Sequence, residues 1–474
     1  MKLSTYTQKI AFNTIVQIIG KMITTAISVV MLAYLARYLG VEGYGDFTVI
    51  FALLGFFAII ADIGFYNVAV REISKHPEKA KDIMGNIFSL RIIFALAFLI
   101  LAPIVGYFVP VYSEGVKIGI LFGTLSFLFV LINQLFVSIF QAHLRMDRTV
   151  ISDVFARIVL FCLVMLCIGL KLTLLHFVLA HVVANLVLCL VSFAMSRKFL
   201  IFSIKFDIKY WKYILSEAIP LGVIIVLGLI YFKVDSIMLS FMKDSVAVGI
   251  YGAPYKVLEI LITIPAIFMG SVFPVVSRYI KNKDPRAKTS FIESFDFMSI
   301  MAFPIVVGMF IMAKPIVLLV LGQEFFASIL VLQYLIFAVL IIFFGTIMGY
   351  FITVANLQRK LVWVYILSVF VNVVGNLFLI PRYSYVGASI ATIFTEALVC
   401  LLAFSVIYRY LKFVPRFEIF FKSLASSLVM GVVLYLMGAV NLLLLIFVGG
   451  TVYFVVLYML GGVSKSMVKR LIKG

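Results

Sequence analysis

Along this chain apolar residues gather in long runs parted by short polar gaps. Crossing the hydrocarbon of a bilayer takes about 20 apolar residues in a helix, and only helices or closed barrels satisfy their backbone there. These runs are too long and too continuous for barrel strands. They predict fourteen transmembrane helices, at about 9–37, 43–70, 84–109, 117–142, 150–170, 172–196, 213–241, 247–277, 289–312, 326–355, 359–380, 385–408, 419–439 and 442–462. The expected fold class is therefore an all-α integral membrane protein, and no polar gap is long enough to fold as a separate soluble domain.

Charge adds sidedness. Of 39 Lys and Arg, 28 fall on every second gap, among them Arg71, Lys75, Arg197, Lys198, Arg278, Arg359 and Arg409, and 6 fall on the opposite gaps. Basic loops stay in the cytoplasm, so both termini are expected there, in the plasma (inner) membrane. Composition agrees: 65% of residues are hydrophobic, 12% are charged and the mean hydropathy is +1.22. The net charge of +19 is spread over loops rather than gathered on one face, so no nucleic acid is expected as a partner. A basic rim against anionic membrane lipids accounts for it. The apolar run from Ile10 to Tyr38 is too long for a cleavable signal core and reads as the first span. Cys162, Cys167, Cys189 and Cys400 lie inside apolar runs without a CxxC pair, so neither disulfide nor metal chemistry is expected.

The segment around Gly45-Asp46-Phe47 returns at an offset of 204 residues as Gly249-Ile250-Tyr251. Six helices per half give the halves the same orientation, related by a pseudo-twofold axis along the membrane normal. The expected division is a bundle at 1–212, a second at 213–412, and two extra C-terminal helices at 413–474, with a cleft between the bundles as the transport path.

Four stretches carry a family resemblance. They are Ala36-Arg37-Tyr38-Leu39-Gly40-Val41-Glu42-Gly43-Tyr44-Gly45; Asp62-Ile63-Gly64-Phe65 leading to Val70-Arg71-Glu72-Ile73; Lys233 to Leu239 followed by Val248 to Tyr251; and Leu321 to Ser328. In order, on this helix count, they resemble the polysaccharide-transporter branch, including O-antigen flippases, of the multidrug/oligosaccharidyl-lipid/polysaccharide exporter superfamily. The resemblance implies a V-shaped pair of six-helix bundles. It also implies a cargo, a polyprenyl-diphosphate-linked oligosaccharide carried from the inner to the outer leaflet, and glycan-assembly enzymes as partners.

Charges at membrane depth are costly and so mark function. On the first helix Asn13, Gln17, Lys21, Thr24, Thr25 and Ser28 recur at helical spacing as one polar stripe. Lys21 lies about 12 residues into the predicted helix, roughly 18 Å deep. Arg157 falls near the cytoplasmic end of its predicted helix. With Lys233 and Lys256 these give four candidate cations for a diphosphate, whose desolvation they would offset. Gln17, Thr24, Ser28, Asn372 and Asn376 are candidate sugar contacts. No cofactor is expected, but a proton or sodium gradient would need a carboxylate, for which Asp62, Asp235, Glu259 and Glu396 are candidates. Asp62 has a second reading, shaping the end of its helix with Gly64 and Arg71. Lys256 and Glu259, three apart, have one too, as a neutralised pair. His176 and His181 lack a third ligand for a metal.

No phosphate-cradling Gly-rich loop and no catalytic set stand in any gap, so an enzyme is not expected. Three alternatives to the flippase reading remain: a multidrug/cation antiporter of the same superfamily, a lipid II flippase, and a membrane glycosyltransferase or polymerase. The first predicts an acidic cleft and the last a long polar loop or an acidic motif, neither of which is evident.

Overall fold

The computed structural model describes the backbone of residues 3–438 and 440–462, and side chains from Asn13 onward except Thr14 and six positions between 221 and 232. The basic residues Lys2, Lys465, Lys469, Arg470 and Lys473, on which the placing of the termini leans, lie outside the described residues. Within them every regular element is a helix, and eleven are long and apolar enough to cross a membrane. It is a multi-pass membrane protein.

The order of elements begins with α1 (Leu3–Asp62), 60 residues long and broken at Gly40 (φ 66, ψ −177). At 1.5 Å per residue it would run about 90 Å, three times the hydrocarbon thickness, so it supplies two passes. A positive φ suits Gly because it has no Cβ. Then come α2 (Phe65–Lys75), α3 (Ala80–Leu99), α4 (Leu101–Phe108), α5 (Glu114–Ala142), α6 (Met146–Gly169), α7 (Leu174–Ser196) and α8 (Ile208–Met242). The remainder is α9 (Ser245–Leu261), α10 (Thr263–Lys281), α11 (Arg286–Ile311), α12 (Ala313–Val320), α13 (Ser328–Val354), α14 (Gln358–Leu411), α15 (Glu418–Met437) and α16 (Leu442–Met459). The eight-residue helices α4 and α12, each set before a long helix, mark the same place in a recurring order.

One predicted helix is corrected. The second does not run to residue 70; it stops at Asp62, where Ile63 (φ 38) and Gly64 (φ 89) turn left-handed, and α2 follows. The third and the eighth are each a single span, interrupted for one residue at Ile100 (φ −67, ψ −21) and Ile262 (φ −69, ψ −10). Those at 359–380 and 385–408 are the two arms of α14, which meet at a kink at Ser384 (φ 50, ψ −131).

By contacts the chain falls into two compact units, Met1–Gly249 and Ile250–Gly474. In the first, Phe65, Val68, Met84, Ile87, Leu135 and Ile139 pack around the break at Gly64. In the second, α15 and α16 dock on α11: Met430, Leu434, Leu457 and Tyr453 cluster with Ile300, and the Tyr453 hydroxyl donates to the Ile300 carbonyl at 2.7 Å.

One buried ion pair braces the first unit. Arg91 on α3 is wholly buried, with Nη2 2.6 Å from Asp62 Oδ1 and a further hydrogen bond to Gln134 of α5. Arg71 pairs elsewhere, with Glu72 (3.0 Å) and Glu217 (2.7 Å), so Asp62 does not join it as the sequence suggested. Removing one side of a buried pair strands the other charge. Arg91→Met is expected to destabilise by about 3 kcal/mol. Adding Asp62→Asn is expected to return part of that loss, which thermal unfolding in detergent will show; equal melting points for wild type and Arg91→Met would contradict it.

Candidate functional site

The first unit brings three charges together on α1 and α6. Asn13 fixes the register of the two helices at one end. Its amide donates to the Leu144 carbonyl (2.7 Å) and its Oδ1 accepts from the Met146 amide (3.0 Å), closing the α5–α6 turn. Asn13 is thus a buried structural residue and not part of an open stripe. Two turns further on, Gly20 lets the helices touch: a Cβ there would lie 2.3 Å from Val150 Cγ1. The next residue is Lys21.

The α5–α6 turn gives a common reference for depth. Lys21 stands eight residues beyond Asn13, about 12 Å further along α1. Helix α6 starts at Met146, four residues earlier than predicted. Arg157 is therefore about 16 Å along it, deeper than expected, and Asp153 about 10 Å. Counted from that turn, Lys21, Asp153 and Arg157 stand at neighbouring levels. Asp153 and Arg157 are four apart, on one face of α6.

The charges of Arg157 and Lys21 both act on the Asp153 carboxylate. Among the described residues, none of the three closes an ion pair within 4 Å. Lys21 and Asp153 are exposed and Arg157 is half-buried. Held against hydrocarbon, such a face would cost several kcal/mol per charge. It therefore belongs against water or a charged ligand.

The polar neighbours on α1 spend their donors within the helix. Gln17 Nε2 donates to the Asn13 carbonyl (3.2 Å), Thr24 to that of Gly20 (3.0 Å) and Ser28 to that of Thr24 (2.7 Å). Their oxygens keep accepting capacity for hydroxyl-rich cargo.

The other candidates do not join this group. On α8 Asp235 is buried, at 1% exposure, and Lys233 is partly buried. On α9 Lys256 Nζ sits 2.6 Å from Glu259 Oε2, so that cation and that carboxylate neutralise each other. Asn372 and Asn376 are enclosed within α14: Asn376 donates to Asn372 Oδ1 (2.9 Å), and Asn372 donates to Thr395 Oγ1 (3.1 Å) across the break at Ser384. Thr392 meets the Tyr251 hydroxyl at 3.1 Å, and Glu396 is buried beside them. Burial and mutual bonding make Asn372 and Asn376 packing groups, out of reach of a sugar. Asp62 is held by Arg91.

His181 packs against the rings of Phe47 and Phe51, with centroids 5.3 and 4.7 Å away, and His176 bonds to Thr173. No metal-binding cluster occurs among the described residues. The functional candidate that sequence reasoning missed is Asp153. The signal was there, an acid one turn before Arg157 in an apolar run, but a search for cations alone passes over it.

Comparison with known proteins follows the same lines. A protein of Haloferax volcanii provisionally named low-salt glycan biosynthesis flippase is 24% identical over 461 residues, covering 93% of this chain and 94% of its own length. A Shigella flexneri protein provisionally named O-antigen transporter is 27% identical over 310 residues, 62% of this chain and 72% of that one. Among solved structures, the lipid II flippase MurJ in an inward closed conformation superposes with a TM-score of 0.78 at 16% identity, over 94% of this chain and 98% of its own. An inward-facing multidrug resistance MATE family transporter of the MOP superfamily gives 0.67 at 13%, over 84% and 99%. These likenesses show the fold. The sequence family described as polysaccharide biosynthesis protein matches residues 10–280, more than half of the chain, and the chain belongs to that family.

Proposed function

We propose that this protein is a flippase that moves a polyprenyl-diphosphate-linked oligosaccharide from the inner to the outer leaflet of the plasma membrane, for cell-surface polysaccharide assembly. Two six-helix bundles (1–212 and 213–412) and the helices of 413–474 make fourteen passes, with both termini in the cytoplasm. Glycan-assembly enzymes supply and receive the cargo, and a proton or sodium gradient drives the cycle. The chain acts as a transporter and catalyses no reaction. The names of the two relatives support this reading.

The observation that carries the cargo assignment is the exposed charge group on α1 and α6. A diphosphate loses most of its hydration on entering a region of low dielectric, and fixed cations replace it. Lys21 offers a mobile point charge and Arg157 a planar fork, both suited to phosphate oxygens. The group is net positive, whereas a cationic drug would need the opposite sign.

Deleting the gene tests the reading. A lipid-linked glycan is expected to accumulate with its sugar on the cytoplasmic leaflet, while the assembled surface polymer disappears. Accumulation of lipid II instead would reassign the cargo. Loss of drug resistance, with surface glycans unchanged, would favour an antiporter.

A further inference from the structure

The third member of the charge group has no place in the cargo reading as it stands. Asp153 brings a negative charge to a site that is to receive a negative ligand. It is not there to staple the helix: its i,i+4 partner Arg157 is one turn away, yet no ion pair closes within 4 Å. Nor is it buried out of reach, since its side chain, like that of Lys21, is exposed. Both candidate cations act on it. The elements packed against this part of α6 are α1, α5 and α7. Among their described charged residues, Lys21 is the one that acts on Asp153; α5 carries Glu114 and Lys117, already paired with each other at 3.0 Å, and α7 carries only histidines.

We infer that Asp153 is a built-in competitor for Lys21 and Arg157, a positioning residue that limits how tightly the site holds a phosphate-bearing cargo. This rests on the proposed cargo. With the site empty, Asp153 shares the field of both cations and offsets their mutual repulsion. When a diphosphate arrives, the cations turn to it, and the displaced carboxylate repels the ligand from the side. The repulsion lowers affinity and speeds release. A carrier gains by this, because a cargo bound too tightly at entry is never delivered, and ground-state binding beyond what the working concentration requires adds nothing to turnover.

The test uses the purified full chain in detergent, with farnesyl diphosphate as the probe and farnesol as its uncharged comparison. The wild type is expected to prefer the diphosphate, and Lys21→Ala and Arg157→Ala are expected to weaken it about tenfold each. Asp153→Asn, nearly the same in shape, is expected to bind about tenfold tighter. In proteoliposomes it should lower KM and kcat together, whereas a merely structural defect would lower kcat without tightening binding. Asp153→Glu restores the charge and should return both constants toward wild type. If the two cation variants weaken binding but Asp153→Asn leaves it unchanged or weaker, the role of Asp153 is overturned and the cargo site stands. If the cation variants bind as the wild type does, the cargo site itself is wrong, and this inference falls with it.

Discussion

Lys21→Ala is expected to reduce transport about 10- to 100-fold while leaving the protein folded and inserted. The size follows from the loss of a hydrogen bond to a charged group, about 1.5–3 kcal/mol. The selectivity follows from the surroundings. The Lys21 side chain is exposed and closes no ion pair among the described residues, so its removal strands no close partner there. Alanine is the strongest helix former, so α1 loses nothing locally. Lys21→Arg keeps the charge but replaces a mobile ammonium by a larger fork, and should retain part of the rate. Initial rates in proteoliposomes, set beside the melting point of each variant, check this. A wild-type rate for Lys21→Ala would remove the residue from the mechanism.

The second large effect is expected at a glycine contact. A Cβ on Gly45 would lie 1.8 Å from the Ser245 carbonyl oxygen, and one on Gly249 would lie 2.1 Å from that of Val41. The offset of 204 residues carries Gly45 onto Gly249 and Val41 onto Ser245, so each clash is the counterpart of the other. Both obstacles are backbone, which cannot turn aside as a side chain can. Asp46 adds a hydrogen bond from Ser245 at the same place. Gly45→Ala and Gly249→Ala are each expected to cost about 2–3 kcal/mol through overpacking. The double variant should cost less than the two together, because once the helices have parted for one methyl they have room for the second. Gly270→Ala and Gly450→Ala are the controls, since nothing lies within 4 Å of a Cβ at either. Melting points of the controls equal to those of the contact variants would contradict the account.

Much of the fold was legible because a bilayer reduces the problem to run length. Apolar periodicity places a helix without knowing its neighbours, and all the long helices were found. The breaks were not. Ile63–Gly64, Ile100 and Ile262 interrupt helices by one or two residues while the apolar pattern runs on, so hydropathy cannot see them. Ser384, set among Arg382, Tyr383 and Tyr385, reads as a polar gap, and the two arms of α14 meet there.

The site was legible in part. Lys21 and Arg157 stand out as bases in apolar runs. Their shared level did not, because depth counted from a predicted helix start inherits the error in that start, and the tie between Asn13 and the α5–α6 turn spans more than 130 residues. The Lys256–Glu259 pair followed from spacing alone. Asn372 and Asn376 resembled sugar donors until α14 folded back and supplied Thr395. That partner lies 23 residues away, beyond the reach of any helical repeat.

The central claim, that the charge on α1 and α6 serves an anionic lipid-linked cargo, is tested most directly by reconstitution. The purified protein is placed in vesicles with a fluorescent polyprenyl-diphosphate oligosaccharide, and its arrival in the opposite leaflet is read by a membrane-impermeant quencher. The account predicts protein-dependent crossing of that lipid, little crossing of the same sugar on a neutral polyprenyl ether, and loss of crossing in Lys21→Ala/Arg157→Ala. Equal crossing of the charged and neutral lipids, undiminished in the double variant, would contradict it.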